Sequence, residues 1–246
     1  MKDCFVLRFN LENAVNPDTK DRTGALAALF GIEKSELEES AVYYGERLTE
    51  LASTVDKKIV DKAREKLSGK KIAFFGDSLT SDRVSYANII KKLGVFEKTD
   101  IFAVSGSVSS QTIRGFAEKV NSGEYDFVSL FIGTNDSALT DVDLPFVSVS
   151  EFERNLSYAC GIISKSGAKG VIFKLPAHSE RKLRNGKPVT EDYNAAIERV
   201  AEKFGFTVFD VNEAEINFID DNVHFTDVTQ RNIAKSFLIK LWEKKI

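Results

Sequence analysis

Short apolar runs alternate with amphipathic segments from Lys71 to the end of the chain. Five of these runs predict β-strands, because a strand covered on both faces needs nearly continuous hydrophobicity rather than strict alternation. The runs are residues 72–75, 101–104, 127–132, 171–173 and 206–211. Their composition favours a parallel sheet.

Three segments beside these runs predict helices, since their apolar residues recur three or four positions apart. The first opens with a capping-box pattern at 150–153. The three apolar stripes are Phe152, Leu156, Ala159 and Ile163; Tyr193, Ile197, Val200 and Phe204; and Ile233, Phe237, Leu238 and Leu241. Alternating strands and helices predict a doubly wound α/β domain with helices on both faces of the sheet.

The N-terminal part of the chain has a different pattern. Residues 1–69 carry helix-like stripes, the clearest running from Leu48 to Leu67, and no convincing strand apart from a short apolar run at 4–9. Gly69 is suited to end the last of these helices. We therefore expect a helical N-terminal region of unknown role over 1–69 and the α/β domain over 70–246.

One fragment of that region, residues 26–35, has the apolar-Gly-apolar rhythm of a helix-turn-helix. The acidic residues Glu36, Glu38 and Glu39 follow it directly. A helix that enters DNA must first meet phosphates, which these carboxylates would repel. We therefore expect a structural helical hairpin at this position.

Composition and charge narrow the class of protein. The 246 residues are 43% hydrophobic and 29% charged with a net charge of -3, which is typical of a globular protein without a nucleic-acid partner. Arg8 and Asn10 interrupt the first apolar stretch, so no signal peptide is predicted, and no apolar run has the length of a membrane span. The distant Cys4 and Cys160 fit reduced packing residues. We expect a cytoplasmic protein without membrane insertion.

Polar residues follow four of the predicted strands at their carboxyl ends, in segments 76–79, 105–107, 133–136 and 221–224. Because the carboxyl ends of parallel strands meet at one edge of a sheet, we expect these segments to lie together. They contain a hydroxyl, an imidazole, a carboxylate and hydrogen-bond donors for an oxyanion. These are the groups that ester hydrolysis requires.

Ser78 and His224 are the candidate nucleophile and base. Taken alone, Ser78 is better interpreted as a helix cap, because it follows a strand and precedes a helix. His224 is one of two histidines, and an imidazole is the side chain best suited to transfer protons near neutral pH. Asp221, three residues earlier, is placed to reach the ring nitrogen that does not face the serine. This spacing favours a base over a solvated histidine.

The candidate oxyanion donors are the backbone N–H groups of Ser78 and Gly106 and the side-chain amide of Asn135. Gly106 is otherwise a turn residue, and Asn135 is otherwise a cap for the next segment. Asp77 and Asp136 are interpreted as architectural residues that bind loop backbone.

The four segments resemble the conserved blocks of the SGNH hydrolases, also called GDSL lipases and esterases. The matching residues are Gly76-Asp77-Ser78-Leu79, Gly106, Gly133-Thr134-Asn135-Asp136 and Asp221-x-x-His224. The resemblance covers about residues 71–246. It implies a flavodoxin-like three-layer sandwich with a five-stranded parallel sheet of order 2-1-3-4-5, and an acyl-enzyme mechanism without metal or cofactor.

Carried over by position, the resemblance makes Ser78 the nucleophile, His224 the base and Asp221 its orienting carboxylate. Ser78, Gly106 and Asn135 form the oxyanion hole. The second block departs from the family pattern. Where the family often has Asn two residues before the glycine and another Gly shortly after it, this chain has Val104 and Ser109.

Other functions have weaker support. The chain lacks the Gly-x-Ser-x-Gly elbow of α/β-hydrolases, a His/Cys cluster for zinc and the Gly-Lys-Ser/Thr ending of a P-loop. A non-catalytic binding or regulatory protein on the same fold stays open, as do an acyltransferase, a lysophospholipase and a thioesterase.

The expected partner is a small or carbohydrate-borne ester. The charged segment 176–188, with His178, Arg181 and Arg184, favours a polar substrate if it overlooks the site, but it is interpreted equally well as a solvated loop. A homo-oligomer formed through the N-terminal helices is a further alternative that the sequence leaves open.

Overall fold

The computed structural model describes residues 5–9, 11, 15, 18–177, 183–184, 187–188 and 190–243, with the backbone alone at 5–6, 183–184 and 187–188. Its helices are α1 (Phe5–Arg8), α2 (Arg22–Phe30), α3 (Lys34–Ser53), α4 (Lys57–Leu67), α5 (Ser78–Ser81), α6 (Tyr86–Leu93), α7 (Ser109–Thr112), α8 (Phe116–Gly123), α9 (Val149–Ser166), α10 (Thr190–Phe204) and α11 (Asp227–Glu243). Its strands are β1 (Lys71–Gly76), β2 (Lys98–Ala103), β3 (Phe127–Phe131), β4 (Lys169–Lys174), β5 (Leu183–Arg184), β6 (Lys187–Pro188) and β7 (Thr207–Asp210).

Five parallel strands form the central sheet in the order β2-β1-β3-β4-β7. This is the order 2-1-3-4-5 that the family resemblance implies, so the predicted fold class is confirmed. Gly76 at the end of β1 is in register with Ala103 of β2 and Phe131 of β3. The three strands end level with one another, and the segments that follow them start at the same edge.

Two helical layers cover the sheet. In one layer α11 packs against α4 and α6, and in the other α9 packs against α8 and α10. The rings of Phe74, Tyr86 and Phe237 lie together between β1, α6 and α11, and those of Phe152 and Tyr193 join α9 to α10. All five are essentially inaccessible to solvent, and burial of each contributes about 1.5–3 kcal/mol. These contacts fix the sheet edge that carries the polar segments.

The N-terminal region is helical where it is described, as predicted, and much of it joins the same core. α3 and α4 bury Tyr44, Leu51, Val60, Ala63 and Leu67 in the apolar cluster that contains the sheet. A second, small cluster joins α1 and α2 to the start of α3; it consists of Leu7, Val15, Leu26, Ala27 and Leu37. α2 and α3 form the expected structural hairpin, with Gly31 in the left-handed region at φ 64°.

Two local predictions are wrong. The apolar run at 4–9 forms a helical turn over Phe5–Arg8 rather than a strand, and Phe9 makes a single antiparallel bridge to Asp82. A run this short does not distinguish the helical period from the strand period. The cap of α9 is Ser148, whose hydroxyl accepts from the Glu151 N–H, and not Ser150.

None of the helices in the described ranges combines the length with the apolar character that a bilayer span demands.

Candidate active site

Ser78 is the first residue of α5, directly after β1. The N-cap of this helix is Asp77, whose carboxylate accepts a hydrogen bond from the Leu79 N–H at 3.0 Å. The alternative interpretation of Ser78 as the cap is therefore wrong, and its hydroxyl makes a different contact. Asp77 has the architectural role that the sequence indicated.

The close approach of α5 to the sheet depends on Gly76. A Cβ atom at this position would lie 2.9 Å from the carbonyl oxygen of Phe131 and 2.2 Å from Oγ1 of Thr80. The φ of Gly76 lies outside the left-handed region, so the backbone conformation does not require glycine. Glycine is required because neighbouring atoms fill the space that a Cβ would occupy. Any larger residue would push Ser78 away from the end of β3.

His224 lies between Ser78 and Asp221. Its Nε2 atom is 2.8 Å from Oγ of Ser78, and its Nδ1 atom is 2.5 Å from Oδ2 of Asp221. The other oxygen of Asp221 accepts from the backbone N–H groups of Val223 and His224 at 2.8 and 2.9 Å. The carboxylate therefore holds both the loop backbone and the imidazole.

These hydrogen bonds keep Asp221 ionised. Burial works to raise the pKa of Asp221, but donation from the backbone and ring of His224 and from the Val223 N–H outweighs it, so the pKa lies below its usual value. An ionised carboxylate is only an acceptor, so Nδ1 of His224 carries the proton. Nε2 is then the acceptor that faces the hydroxyl of Ser78.

Gly106 and Asn135 lie on loops that meet beside α5. Gly106 adopts φ 76°, a left-handed conformation that favours glycine, and a Cβ there would meet no atom within 4 Å. The Asn135 amide donates to the carbonyl oxygen of Ser107 at 2.9 Å and has a second N–H. Hydroxyl groups of Ser81 and Ser105, 2.6 Å apart, join α5 to the Gly106 loop.

Asp136 joins the same two loops on their buried side. Both of its carboxylate oxygens lie 3.0 Å from the Ser109 N–H, and the Ser109 hydroxyl accepts from the Asn155 amide at 3.0 Å. Burial raises the pKa of Asp136, although the hydrogen bonds from Ser109 oppose the shift. Ser109, where the family often has glycine, thus ties the second block to the third and to α9.

A cavity of about 530 Å³ lies beside Gly106. Its lining is mixed: Phe75, Phe102 and Val104 contribute apolar surface, and the polar side chains are Ser105, Ser107, Gln111, Thr112, Arg114 and Lys119. The Ser107 hydroxyl is buried and, among the described residues, has no hydrogen-bond partner. This cavity offers donors to a polar group next to the loops.

Two residues near the site were not predicted from the sequence. The ring of Phe9 lies against the imidazole of His224, and the guanidinium of Arg8 bonds to the carbonyl oxygen of Phe225. No local motif marks such contacts, since Arg8 and Phe225 are 217 positions apart.

His178 and most of the charged segment 176–188 lie outside the described residues. In the part of the chain that the structure describes, no group of three or more His, Cys, Asp or Glu side chains is arranged to hold a metal ion.

Comparison with protein families identifies the chain. The model of the GDSL-like lipase/acylhydrolase family matches residues 74–231. The chain belongs to this family. The matched range includes all four blocks, from Ser78 to His224, and the GDSL-type hydrolase is accordingly a carboxylic ester hydrolase. A comparison with curated proteins gave no match.

Solved structures share the fold of this GDSL-type hydrolase. A catalytic mutant of Axe2, an acetylxylan esterase from Geobacillus stearothermophilus, has a TM-score of 0.61 at 16% identity and covers 72% of this chain and 95% of its own. LAE5, an alpha/beta hydrolase enzyme from the metagenome of Lake Arreo, has a TM-score of 0.58 at 17% sequence identity. The match covers 70% of this chain and 95% of LAE5. TesA has a TM-score of 0.57 at 14% sequence identity, and the match covers 71% of this chain and 99% of TesA.

Proposed function

We propose that this GDSL-type hydrolase is a serine esterase that cleaves a small or carbohydrate-borne carboxylic ester through an acyl-enzyme. The observation that carries the proposal is the position of His224, with its ring nitrogens 2.8 Å from the Ser78 hydroxyl and 2.5 Å from the Asp221 carboxylate. A nucleophile, a base and an orienting carboxylate in mutual hydrogen-bond contact activate a serine hydroxyl.

In the first half-reaction, Oγ of Ser78 attacks the carbonyl carbon of the ester while its proton passes to Nε2 of His224. The charge that develops on the carbonyl oxygen is stabilised by the N–H groups of Ser78 and Gly106 and the second amide N–H of Asn135. The bond to the alcohol oxygen then breaks. His224 gives its proton to that oxygen, and the acyl group stays on Ser78.

In the second half-reaction, water takes the place of the alcohol. His224 accepts a proton from the water as its oxygen bonds to the acyl carbon. The bond to Ser78 Oγ then breaks, the proton returns to Ser78, and the carboxylic acid leaves. Asp221 stays ionised throughout and stabilises the imidazolium that forms twice in the cycle.

The surroundings of Gly106 support a polar substrate. The neighbouring cavity offers the exposed side chains of Gln111, Arg114 and Lys119, groups that suit the hydroxyls or charge of a polar alcohol better than an alkyl chain. Axe2, which shares the fold, is an acetylxylan esterase. An acetyl ester of a sugar fits both observations.

Steady-state hydrolysis tests the proposal with p-nitrophenyl acetate, p-nitrophenyl octanoate and peracetylated xylose. We expect kcat/KM to be at least about tenfold higher for the acetyl ester than for the octanoyl ester, and acetate release from the sugar. Ser78→Ala should lower kcat by about 10⁶-fold, whereas Ser122→Ala, on the exposed side of α8, should leave it unchanged.

The outcomes separate the parts of the proposal. Failure to turn over any of the three esters, or full activity of Ser78→Ala, would contradict the esterase. Preference for the octanoyl ester would leave the esterase standing and refute the substrate class.

A further inference from the structure

The N-terminal segment packs directly on the base of the proposed esterase. The ring of Phe9 lies 4.2 Å from the imidazole of His224, centroid to centroid, with the planes inclined by 46°. Phe9 is 1% exposed, and its backbone makes an antiparallel bridge to Asp82. One face of the imidazole is therefore covered by a side chain from the first ten residues.

Arg8 fastens this segment to the loops that carry the nucleophile and the base. Its Nε donates to Oδ2 of Asp82 at 3.0 Å, and its Nη2 donates to the carbonyl oxygen of Phe225 at 3.0 Å. Asp82 directly follows α5, and its N–H donates to the carbonyl oxygen of Ser78. Phe225 directly follows His224. A single guanidinium thus links the residues next to both reacting side chains.

A third contact extends the link to the final helix. Nη2 of Arg8 lies 3.1 Å from Asp227, the first residue of α11, and Arg47 of α3 holds the other oxygen of Asp227 at 2.7 Å. The loop that carries His224 is therefore held by cations from two N-terminal elements. Both elements lie outside residues 74–231, which match the family model.

We propose that Phe9 and Arg8 are positioning residues, which hold the imidazole of His224 in line with the hydroxyl of Ser78. The inference rests on the proposed function of that pair. The hydrogen bonds at Nδ1 and Nε2 hold two atoms at the edge of the ring, and neither of them opposes rotation of the ring about the line through these two nitrogens. Packing of Phe9 on the ring face removes this freedom and keeps water from that face.

The test compares two truncations of the same kind. Phe9→Ala removes the contact with His224. Phe96→Ala removes a similarly buried ring that packs on Phe127 at the opposite edge of the sheet. Both leave a cavity and lower stability, so any difference in rate between them does not come from stability alone. Phe9→Leu restores apolar packing on the imidazole.

We expect Phe9→Ala to lower kcat by about 10- to 100-fold with KM changed less than about twofold, because a displacement near 1 Å costs up to 10²-fold. Phe9→Leu should recover kcat to within about threefold, since volume-conserving replacements are tolerated best. Phe96→Ala should keep the wild-type kcat. Circular dichroism establishes that each variant is folded; if Phe9→Ala does not fold, Phe9→Val takes its place.

A spectroscopic measurement gives a readout that does not need a substrate. The chain has two histidines, so ¹⁵N-histidine labelling with Asp221→Ala as reference assigns the Nδ1–H proton of His224. We expect this downfield proton signal in the wild type and in Phe96→Ala. In Phe9→Ala it should broaden or disappear, because water reaches the ring and exchanges the proton.

The two readouts distinguish the inference from the function on which it rests. One outcome is that the wild type hydrolyses no ester, while the Nδ1–H proton signal of His224 is present in the wild type and in Phe96→Ala and is lost in Phe9→Ala. The proposed function then fails, and the positioning by Phe9 stands. Wild-type kcat with an unchanged signal in Phe9→Ala would overturn the positioning role. An equal loss of kcat in Phe96→Ala would overturn it as well.

Discussion

Removal of the Arg8 guanidinium should destabilise the fold, because it leaves the carboxylate of Asp82 alone in the interior. Asp82 is completely buried, and two nitrogens of Arg8 lie 3.0 Å from its Oδ2. Burial raises the pKa of Asp82 to about 6 despite the charge of Arg8 and the hydrogen bond from the Val84 N–H. Little else compensates this charge once Arg8 is gone.

We expect Arg8→Ala to lower the free energy of unfolding by about 3 kcal/mol at neutral pH. Loss of one partner from a buried ion pair costs about 3–5 kcal/mol. The lower end applies because the Val84 N–H still donates to Asp82 at 3.0 Å and the carboxyl can take up a proton. The double variant Arg8→Ala/Asp82→Asn should recover about half of the loss, since no buried charge remains.

The penalty should also depend on pH. The folded-state pKa of Asp82, about 6, lies above the ~3.9 of an unfolded chain, so the stability that this group contributes is present near pH 4 and is lost as the pH rises through 6. Without Arg8 the folded-state pKa of Asp82 rises further, and the fold therefore loses more stability as the pH is raised. The penalty of Arg8→Ala should therefore be small at about pH 5 and largest at about pH 8.

Urea unfolding followed by circular dichroism at both pH values measures these differences, provided that the slopes agree. Arg47→Ala is the matched control. Arg47, like Arg8, pairs with Asp227, but the side chains of Arg47 and Asp227 are 29% and 22% exposed. Loss of this partly exposed pair should cost less than about 1 kcal/mol of stability. A double variant no more stable than Arg8→Ala, or a loss of stability in Arg8→Ala that grows as the pH falls, would contradict a buried Asp82 charge that Arg8 compensates.

Four further predictions concern the site and the assembly. Asp221→Asn should lower kcat by about 10⁴-fold in the p-nitrophenyl acetate assay, since the amide no longer enforces the imidazole tautomer; a loss below tenfold would contradict this role. Asn135→Ala should lower kcat by about 10²–10³-fold with little change in KM, and an effect on KM alone would exclude an oxyanion donor. Gly76→Ala should cost about 1–3 kcal/mol in thermal unfolding, because its Cβ meets the Phe131 carbonyl; an unchanged Tm would contradict that clash. Self-association through the N-terminal helices stays a prediction, and the mass in solution of the full chain decides it.

The sheet and the location of the site could be predicted because both follow from local signals. Continuous apolar runs predict the five strands, and the rule that polar segments gather at their carboxyl ends predicts that Ser78 lies near His224. The structure adds the distances between them. It also shows that Asp77 provides the helix cap, which leaves the hydroxyl of Ser78 for the imidazole.

The contacts of the N-terminal segment could not be predicted in this way. Phe9 reaches His224, and Arg8 reaches Asp82, across most of the chain, and neither contact leaves a periodicity in the sequence. The apolar run at 4–9 suggests a strand, but Phe5–Arg8 folds as a turn of helix. The N-cap of α9 is Ser148 and not Ser150, two residues later. The spacing of apolar residues does not locate the start of a helix to within two residues.

The most direct test of the account is covalent labelling with a fluorophosphonate probe followed by peptide mapping. We expect one labelled residue, Ser78, with labelling abolished in Ser78→Ala and nearly abolished in His224→Ala. Ser81→Ala, which removes the other serine hydroxyl of α5, should still be labelled, because that hydroxyl faces Ser105. Robust labelling of Ser78→Ala, or a label mapped to another serine, would contradict the assignment of the nucleophile.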